Sequence, residues 1–115
     1  MAKHHDTGQK GEFLAASFLR KHNYQVLATN WRFQKAEVDI IARDEKFLAF
    51  IEVKTRSSDR FGKPYEFVSE KKQTLYQDAA EAYLSENNLD LEVRFDIISI
   101  ILSNTSKIEH LKNAF

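Results

Sequence analysis

The sequence predicts an α/β fold in which a mixed central β-sheet is flanked by helices, with the elements in the order α-β-β-β-α-β. Apolar side chains recur at helical spacing near the start of the chain and over residues 70–86. Residues 37–54 are rich in β-branched and aromatic side chains around a short polar turn, which is typical of a β-hairpin. Residues 91–102 carry apolar side chains on both faces, as an interior strand does. We therefore expect the second helix to cross from the hairpin to this last strand.

Length and composition narrow the functional classes. A chain of 115 residues and 13.4 kDa predicts a single domain over 1–115, with residues 1–6 flexible. The 17 basic and 17 acidic residues balance, so overall charge does not indicate a polyanionic partner. The absence of cysteine excludes a disulfide framework, thiol catalysis and cysteine zinc sites. Because no apolar run reaches membrane-spanning length and no signal-peptide core is present, we expect a cytoplasmic protein without a membrane partner.

The first helix is expected to begin at a cap, Asp6 or Thr7, and to end near Lys21. Glu12 falls on the edge of its apolar stripe, where an acid needs a partner or solvent. A solvated glutamate in the first turn, favoured by the helix dipole, is one interpretation of this residue. The buried stripe consists of Leu14, Ala15, Phe18 and Leu19.

The first strand is predicted over residues 24–33, with Tyr24, Val26 and Leu27 as its apolar content. Trp31 and Arg32 lie near its end. Arg32 is suited to a phosphate contact and Trp31 to stacking on a base, although a single tryptophan in a small domain is more often part of the core.

The hairpin register follows from its hydrophobic pattern, because a shift by one residue would put its two apolar sets on opposite faces. One face of the hairpin carries acids at its open end and is called the polar face. On this face, near the turn, Ile41 is expected to lie opposite Phe50. The apolar face is expected to pair Val38 with Val53, Ile40 with Ile51 and Ala42 with Ala49.

At the open end of the polar face, Asp39 is expected opposite Glu52, and Glu37 opposite Lys54. Opposed like charges are destabilising, and a divalent cation such as Mg²⁺ or Mn²⁺ compensates them through carboxylate oxygens. A lysine beside such an ion orients water and stabilises charge on a phosphate, which indicates phosphodiester hydrolysis. Alternatively, Glu37 pairs with Lys54 while Asp39 and Glu52 stay solvated at a sheet edge.

Basic residues follow the hairpin. The loop over 55–69 carries Arg56, Arg60 and Lys63, and its composition predicts either a mobile flap over a nucleic-acid backbone or a merely solvated loop. Ser69 is the expected N-cap of the second helix, which ends at Asn87-Asn88. Lysines 71 and 72 occupy its first turn, where the helix dipole disfavours cations, so an anion is expected nearby.

In the last strand, Arg94 and Asp96 share a face and are expected to form a structural ion pair. The tail from Ser106 is expected to dock on the domain or on a second copy of the chain through Ile108, Leu111 and Phe115.

Asp39, followed after twelve residues by Glu52-Val53-Lys54, resembles the PD-(D/E)xK nuclease signature. The wider chain resembles the YraN family of predicted endonucleases, which are similar to archaeal Holliday-junction resolvases. The chain departs from that pattern at Ala36, where a glycine is usual. The resemblance is carried by Gly11-Glu12, Asn30-Trp31-Arg32, Glu37-Val38-Asp39, the segment 50–56, Gly62, Pro64, Lys72 and Arg94-Phe95-Asp96.

The resemblance implies a restriction-endonuclease-like fold and a metal-dependent endonuclease that hydrolyses phosphodiester bonds in DNA, including branched or structured DNA. It implies Mg²⁺ or Mn²⁺ as cofactor, DNA rather than RNA as partner, and a homodimer by analogy with junction resolvases. The alternatives are a catalytically inactive nucleic-acid-binding or adaptor module with the same fold, and a cation that serves stability alone. The implied roles are metal binding by Asp39, Glu52, the Val53 carbonyl and Glu12, water positioning by Lys54, acid support by Glu37, and substrate contact by Lys72.

Overall fold

The computed structural model describes residues 3–57, 68–103 and 105–115, with side chains from residue 8 onward. It confirms the predicted fold class, a mixed sheet flanked by two helices within those ranges. The first helix begins at Lys3, earlier than the expected cap, and the chain adds a final strand that the sequence analysis did not predict. The elements are α1 (Lys3–Lys21), β1 (Gln25–Phe33), β2 (Ala36–Arg43), β3 (Phe47–Arg56), α2 (Glu70–Asn87), β4 (Glu92–Ile101) and β5 (Lys107–Leu111).

The strands are ordered β1-β2-β3-β4-β5 in the sheet. Only β3 and β4 run parallel among the described neighbours, because α2 crosses over between them, and the other pairs are antiparallel. The two helices cover opposite faces. Residues of α1 pack with Ile40, Ile51 and Ile98, whereas residues of α2 pack with Ile41 and Phe50. The interior strands are therefore buried on both faces, as their apolar content predicts.

The hairpin register is confirmed where β2 and β3 pair, since Ile40 lies opposite Ile51 and Ile41 opposite Phe50. The expected facing of Val38 and Val53 was wrong. Val38 packs on the α2 side of the sheet, and Val53 packs on the α1 side.

The physical reason for this difference lies in the neighbouring strand. Asn30 has a left-handed backbone, with φ of 51°, between the paired positions Thr29 and Trp31. A residue in that conformation interrupts the alternation of side chains along a strand. In β2, opposite Asn30, Val38 and Ile41 consequently share a face although they are three residues apart. Asp39 sits at this change of face.

The ends of α2 follow the predicted signals. The Ser69 hydroxyl accepts a hydrogen bond from the Lys72 backbone N–H at 3.1 Å, and Asn88 closes the helix with a left-handed φ of 51°. The tail docks on its own domain. Strand β5 pairs with β4, and the Phe115 ring lies 5.3 Å from the Tyr76 ring.

The expected pair of Arg94 and Asp96 is confirmed, at 2.9 Å and almost completely buried. Asp96 also accepts hydrogen bonds from the backbone N–H of Asn113 and pairs with the ring of His110 at 2.8 Å. This buried network fastens the tail to β4. Neither helix in the described ranges combines the length and apolarity that crossing a membrane requires.

Candidate active site

The candidate site lies where β2 and β3 separate. Backbone pairing between the strands reaches Ile40 and Ile51, so Asp39 and Glu52 are the first residues beyond it. There the Asp39 carboxylate accepts a hydrogen bond from the Val53 backbone N–H at 2.8 Å. The Asp39 carboxylate thus accepts the hydrogen bond that a backbone carbonyl of a paired strand would otherwise accept from Val53, and this bond holds Asp39 against β3.

Glu52 is the buried acid of the site, with 4% of its surface exposed. Its Oε1 forms an ion pair with the Lys72 ammonium. Its Oε2 lies 3.7 Å from Lys54 Nζ but, within the described part of the chain, receives no hydrogen bond. A buried carboxylate oxygen without a donor costs free energy, and a cation bound to that oxygen would offset the cost.

The environment of Asp39 disfavours its ionised form. Burial raises the pKa of its carboxyl to about 6, against the hydrogen bond from Val53, which lowers it. The charges of Glu12 and Glu52 raise the pKa further, and that of Lys72 lowers it. The ionised form of Asp39 is therefore disfavoured, chiefly by burial and further by the two neighbouring acids.

Glu12 approaches the site from α1. Its Oε1 accepts a hydrogen bond from Asn30 Nδ2 at 3.1 Å, and its charge acts on Asp39. The helix comes this close because Gly11 contacts the Thr55 side chain, which a Cβ on residue 11 would overlap. The glycine preceding Glu12 therefore sets the distance between α1 and the end of β3.

Glu37 and Arg32 pair with each other at the rim. Arg32 Nε donates to Glu37 Oε2 at 3.0 Å, between opposed residues of β1 and β2. The expected pairing of Glu37 with Lys54 was wrong, since Lys54 lies beside Glu52. The cause is that β2 stays paired with β1 after it has separated from β3. Glu37 nonetheless lines a cavity of about 200 Å³ together with Asp39.

The second helix contributes two residues, Lys72 and Tyr76, from one face, because residues four apart on a helix are neighbours. The Tyr76 hydroxyl donates a hydrogen bond to the Ile51 carbonyl at 3.5 Å, and the nearby Asp39 backbone acts to lower the pKa of its phenol. It thereby bridges the two strands where they separate, and its burial raises the pKa of the phenol. Tyr76 belongs to the apolar stripe of α2, and the sequence signal for its place in the site is its spacing of four residues from Lys72.

The comparison with protein families identifies the chain. A sequence model described as "Uncharacterised protein family UPF0102" matches residues 11–100. The chain belongs to the UPF0102 family. This is the family that the resemblance above names YraN.

Relatives of similar length share this UPF0102 sequence. A UPF0102 protein of Flavobacterium psychrophilum is 51% identical over 116 residues, which cover 100% of this chain and 98% of the relative. One from Flavobacterium johnsoniae is 48% identical over 120 residues, with the same coverage. A UPF0102 protein of Geobacter metallireducens is 44% identical over 110 residues, covering 94% of this chain and 90% of its own.

In this UPF0102 chain the structure brings together Glu12, Asp39, Glu52, Lys54 and Lys72 around the end of the hairpin. Within the described ranges, no group of three or more histidine or acidic side chains converges closely enough to hold a metal ion as it stands.

The residues expected to contact nucleic acid are more dispersed in this UPF0102 chain. Arg56 is exposed at the end of β3, and Arg32 is exposed at the rim. Arg60 and Lys63 lie outside the described residues. Among the described cations, Lys54 and Lys72 are the two that contact Glu52.

Proposed function

We propose that this UPF0102 protein is a metal-dependent endonuclease that hydrolyses phosphodiester bonds in DNA, with branched or structured DNA as a candidate substrate. The observation that carries the proposal is the buried Glu52, whose Oε2 receives no hydrogen bond among the described residues, beside the stressed carboxyl of Asp39. Two partly desolvated carboxylates at one point suit a hard divalent cation.

The residues present fit Mg²⁺ or Mn²⁺. Asp39 and Glu52 would bind the ion directly, with the Val53 carbonyl as a candidate third ligand, and Glu12 would act through water, since Mg²⁺ keeps several waters. When bound, the ion supplies Lewis-acid stabilisation of a phosphate and a bound water of lowered pKa. Burial is the main cause that raises the pKa of Asp39, and a bound cation would favour the ionised carboxylate there.

The chain supplies the other parts of the reaction. Lys54 Nζ, 3.7 Å from Glu52 Oε2, would orient the attacking water and stabilise negative charge on the phosphate. Glu37 would support the site from the rim through the cavity that it shares with Asp39. Arg32 and Arg56 are exposed and would hold backbone phosphates without reading sequence.

One observation favours a second candidate, a nucleic-acid-binding or adaptor module without turnover. The Lys72 ammonium already neutralises Glu52 Oε1, so the site has an internal cation. A protein that kept this fold for binding alone would need no other ion. The two candidates differ in whether DNA is cut, not in whether it is bound.

The test is cleavage of four-way, nicked and single-stranded DNA with Mg²⁺, with Mn²⁺, and with EDTA. We expect metal-dependent cutting that falls by about 100-fold or more in Lys54→Ala, because charge stabilisation and proton transfer are lost. Lys46→Ala, which removes an exposed lysine from the β2–β3 turn, is the matched control and should cut normally.

Cleavage that survives Lys54→Ala would contradict the mechanism. DNA binding without cleavage under every metal condition would favour the second candidate. A homodimer, expected by analogy, is tested by the mass of the complex in solution.

A further inference from the structure

Lys72 takes part in two contacts, one through its backbone N–H and one through its ammonium group. The Ser69 cap fixes the start of α2 and hence the backbone of Lys72, while the side chain reaches back to Glu52 Oε1. Lys72 remains 46% exposed at its side chain, in contrast to the 6% exposure of the Glu52 side chain. The acid is therefore held by the core, and the ammonium is the partner that is able to move.

The ion pair between Lys72 and Glu52 neutralises the buried carboxylate when no metal ion is bound. Glu52 is buried near Asp39, and a buried carboxylate needs a partner of opposite charge. Lys72 supplies that charge at Oε1, whereas Lys54 stands 3.7 Å from Oε2. A divalent cation that uses Glu52 as a ligand would compete with Lys72 for the same carboxylate.

A cavity next to Asp39 could receive the Lys72 ammonium once it is displaced from Glu52. The cavity of about 200 Å³ beside Asp39 is lined by Lys35, Glu37, Asp39, Lys72, Leu75 and Tyr76. Lys72 already forms part of its wall, and Lys35 is a second cation on that wall. Rotation of the exposed Lys72 side chain into this cavity would put two cations around one opening.

We infer that Lys72 is an internal counter-ion that a divalent cation displaces from Glu52, and that the displaced ammonium then holds a DNA phosphate at the cavity beside Asp39. This inference rests on the metal site of the proposed function. It makes Lys72 a positioning residue that couples two binding events. The metal makes the site competent for DNA by freeing a cation, and DNA favours the metal by holding that cation away from Glu52.

The test is calorimetric titration of Mn²⁺ into the wild type, Lys72→Met and Lys71→Met at pH 8. Lysine 71 is exposed in the same helical turn, so its replacement removes the same net charge from the same place. Lys72→Met should bind Mn²⁺ more tightly than wild type by about fivefold, the scale of a partly exposed ion pair. Lys71→Met should stay within about twofold of wild type, because it leaves the contact with Glu52 in place. Lys72→Gln, which keeps a hydrogen-bond donor without the charge, should fall between, and a thermal melt confirms that each variant is folded.

The second readout is binding to a four-way junction in the Lys54→Ala background, where cutting is suppressed. Mn²⁺ should strengthen junction binding, and the added Lys72→Met should abolish that strengthening, while Lys71→Met preserves it.

The outcomes separate this inference from the proposed function. If wild type binds Mn²⁺ and Lys72→Met binds it equally or more weakly, the counter-ion role is overturned and the metal site stands. If wild type binds no Mn²⁺ and Lys72→Met does, the lysine excludes the metal from Glu52, and displacement of Lys72 by a divalent cation is overturned. If neither protein binds Mn²⁺, both the inference and the metal site fail.

Discussion

Replacing Asp39 by asparagine removes a charge from the end of the hairpin and leaves the shape of the side chain almost unchanged. The amide oxygen still accepts the hydrogen bond from the Val53 N–H, which the carboxylate accepts at 2.8 Å. Burial, aided by Glu12 and Glu52, raises the pKa of Asp39 from 3.8 to about 6. The ionised carboxylate is therefore disfavoured in the folded protein, and a neutral isostere relieves that cost.

The magnitude follows from the pKa of Asp39 in the two states. A rise from 3.8 to about 6 corresponds to about 3 kcal/mol, at about 1.36 kcal/mol per pH unit. Because the folded pKa is the higher one, the folded state holds the proton more tightly between those values. Its free energy of unfolding falls as pH rises through this window, and the full cost applies above it. We expect Asp39→Asn to stabilise the metal-free protein by about 2–3 kcal/mol at pH 7.5, and by less than about 1 kcal/mol at pH 4.

Urea denaturation in EDTA at both pH values measures this difference. The control is Asp78→Asn, an exposed acid on α2, which should change the free energy of unfolding by less than about 0.5 kcal/mol. Mn²⁺ at about 1,000 times its Kd should reverse the order, since it stabilises wild type by about 4.1 kcal/mol, whereas the variant has lost a metal ligand. A metal-free variant that is less stable than wild type at pH 7.5, or equally stabilised at both pH values, would refute the reasoning.

Two further substitutions test the support of the site. Gly11→Ala should destabilise the protein by about 1–3 kcal/mol in thermal melts, because its Cβ would overlap Thr55, whereas Gly8→Ala, with open space around it, should be neutral or stabilising. Equal effects of the two replacements would show that α1 does not set its distance at Gly11. Asp96→Asn should cost about 3–5 kcal/mol, because it leaves the buried guanidinium of Arg94 without its partner. An Asp96→Asn variant that melts with wild type would contradict the assignment of a network that holds the tail.

Local patterns predicted most of the fold. The register of the paired part of the hairpin was predicted from its apolar alternation, since a shift by one residue would put its two apolar sets on opposite faces. The start of α2 at Ser69 and its end at Asn88 came from side chains that satisfy free backbone groups. Strand β5 was missed because it has only five residues, 107–111, and two successive polar residues, Glu109 and His110, interrupt its alternation; it forms because β4 offers an edge to pair with.

The site was harder to predict because it depends on a break in regularity. Strand alternation places Val38 opposite Val53, but Val38 changes side opposite the left-handed Asn30 of the neighbouring strand. Tyr76 belongs to a helical stripe that sequence treats as core, yet its hydroxyl contacts both separating strands. Contacts between elements far apart in sequence carry no local signature. Asp39 and Glu52 could be predicted as site residues because acidic side chains are seldom buried in a strand.

The central claim is that Asp39 and Glu52 hold one divalent cation, and the loss of free Mn²⁺ on addition of protein, measured by electron paramagnetic resonance, tests it most directly. Wild type should bind one Mn²⁺ per chain. Glu52→Gln should weaken that binding by at least about tenfold, and the exposed Glu86→Gln should leave it unchanged. Saturable binding that is equal in wild type and Glu52→Gln would contradict the account, as would wild-type protein that leaves the Mn²⁺ signal untouched.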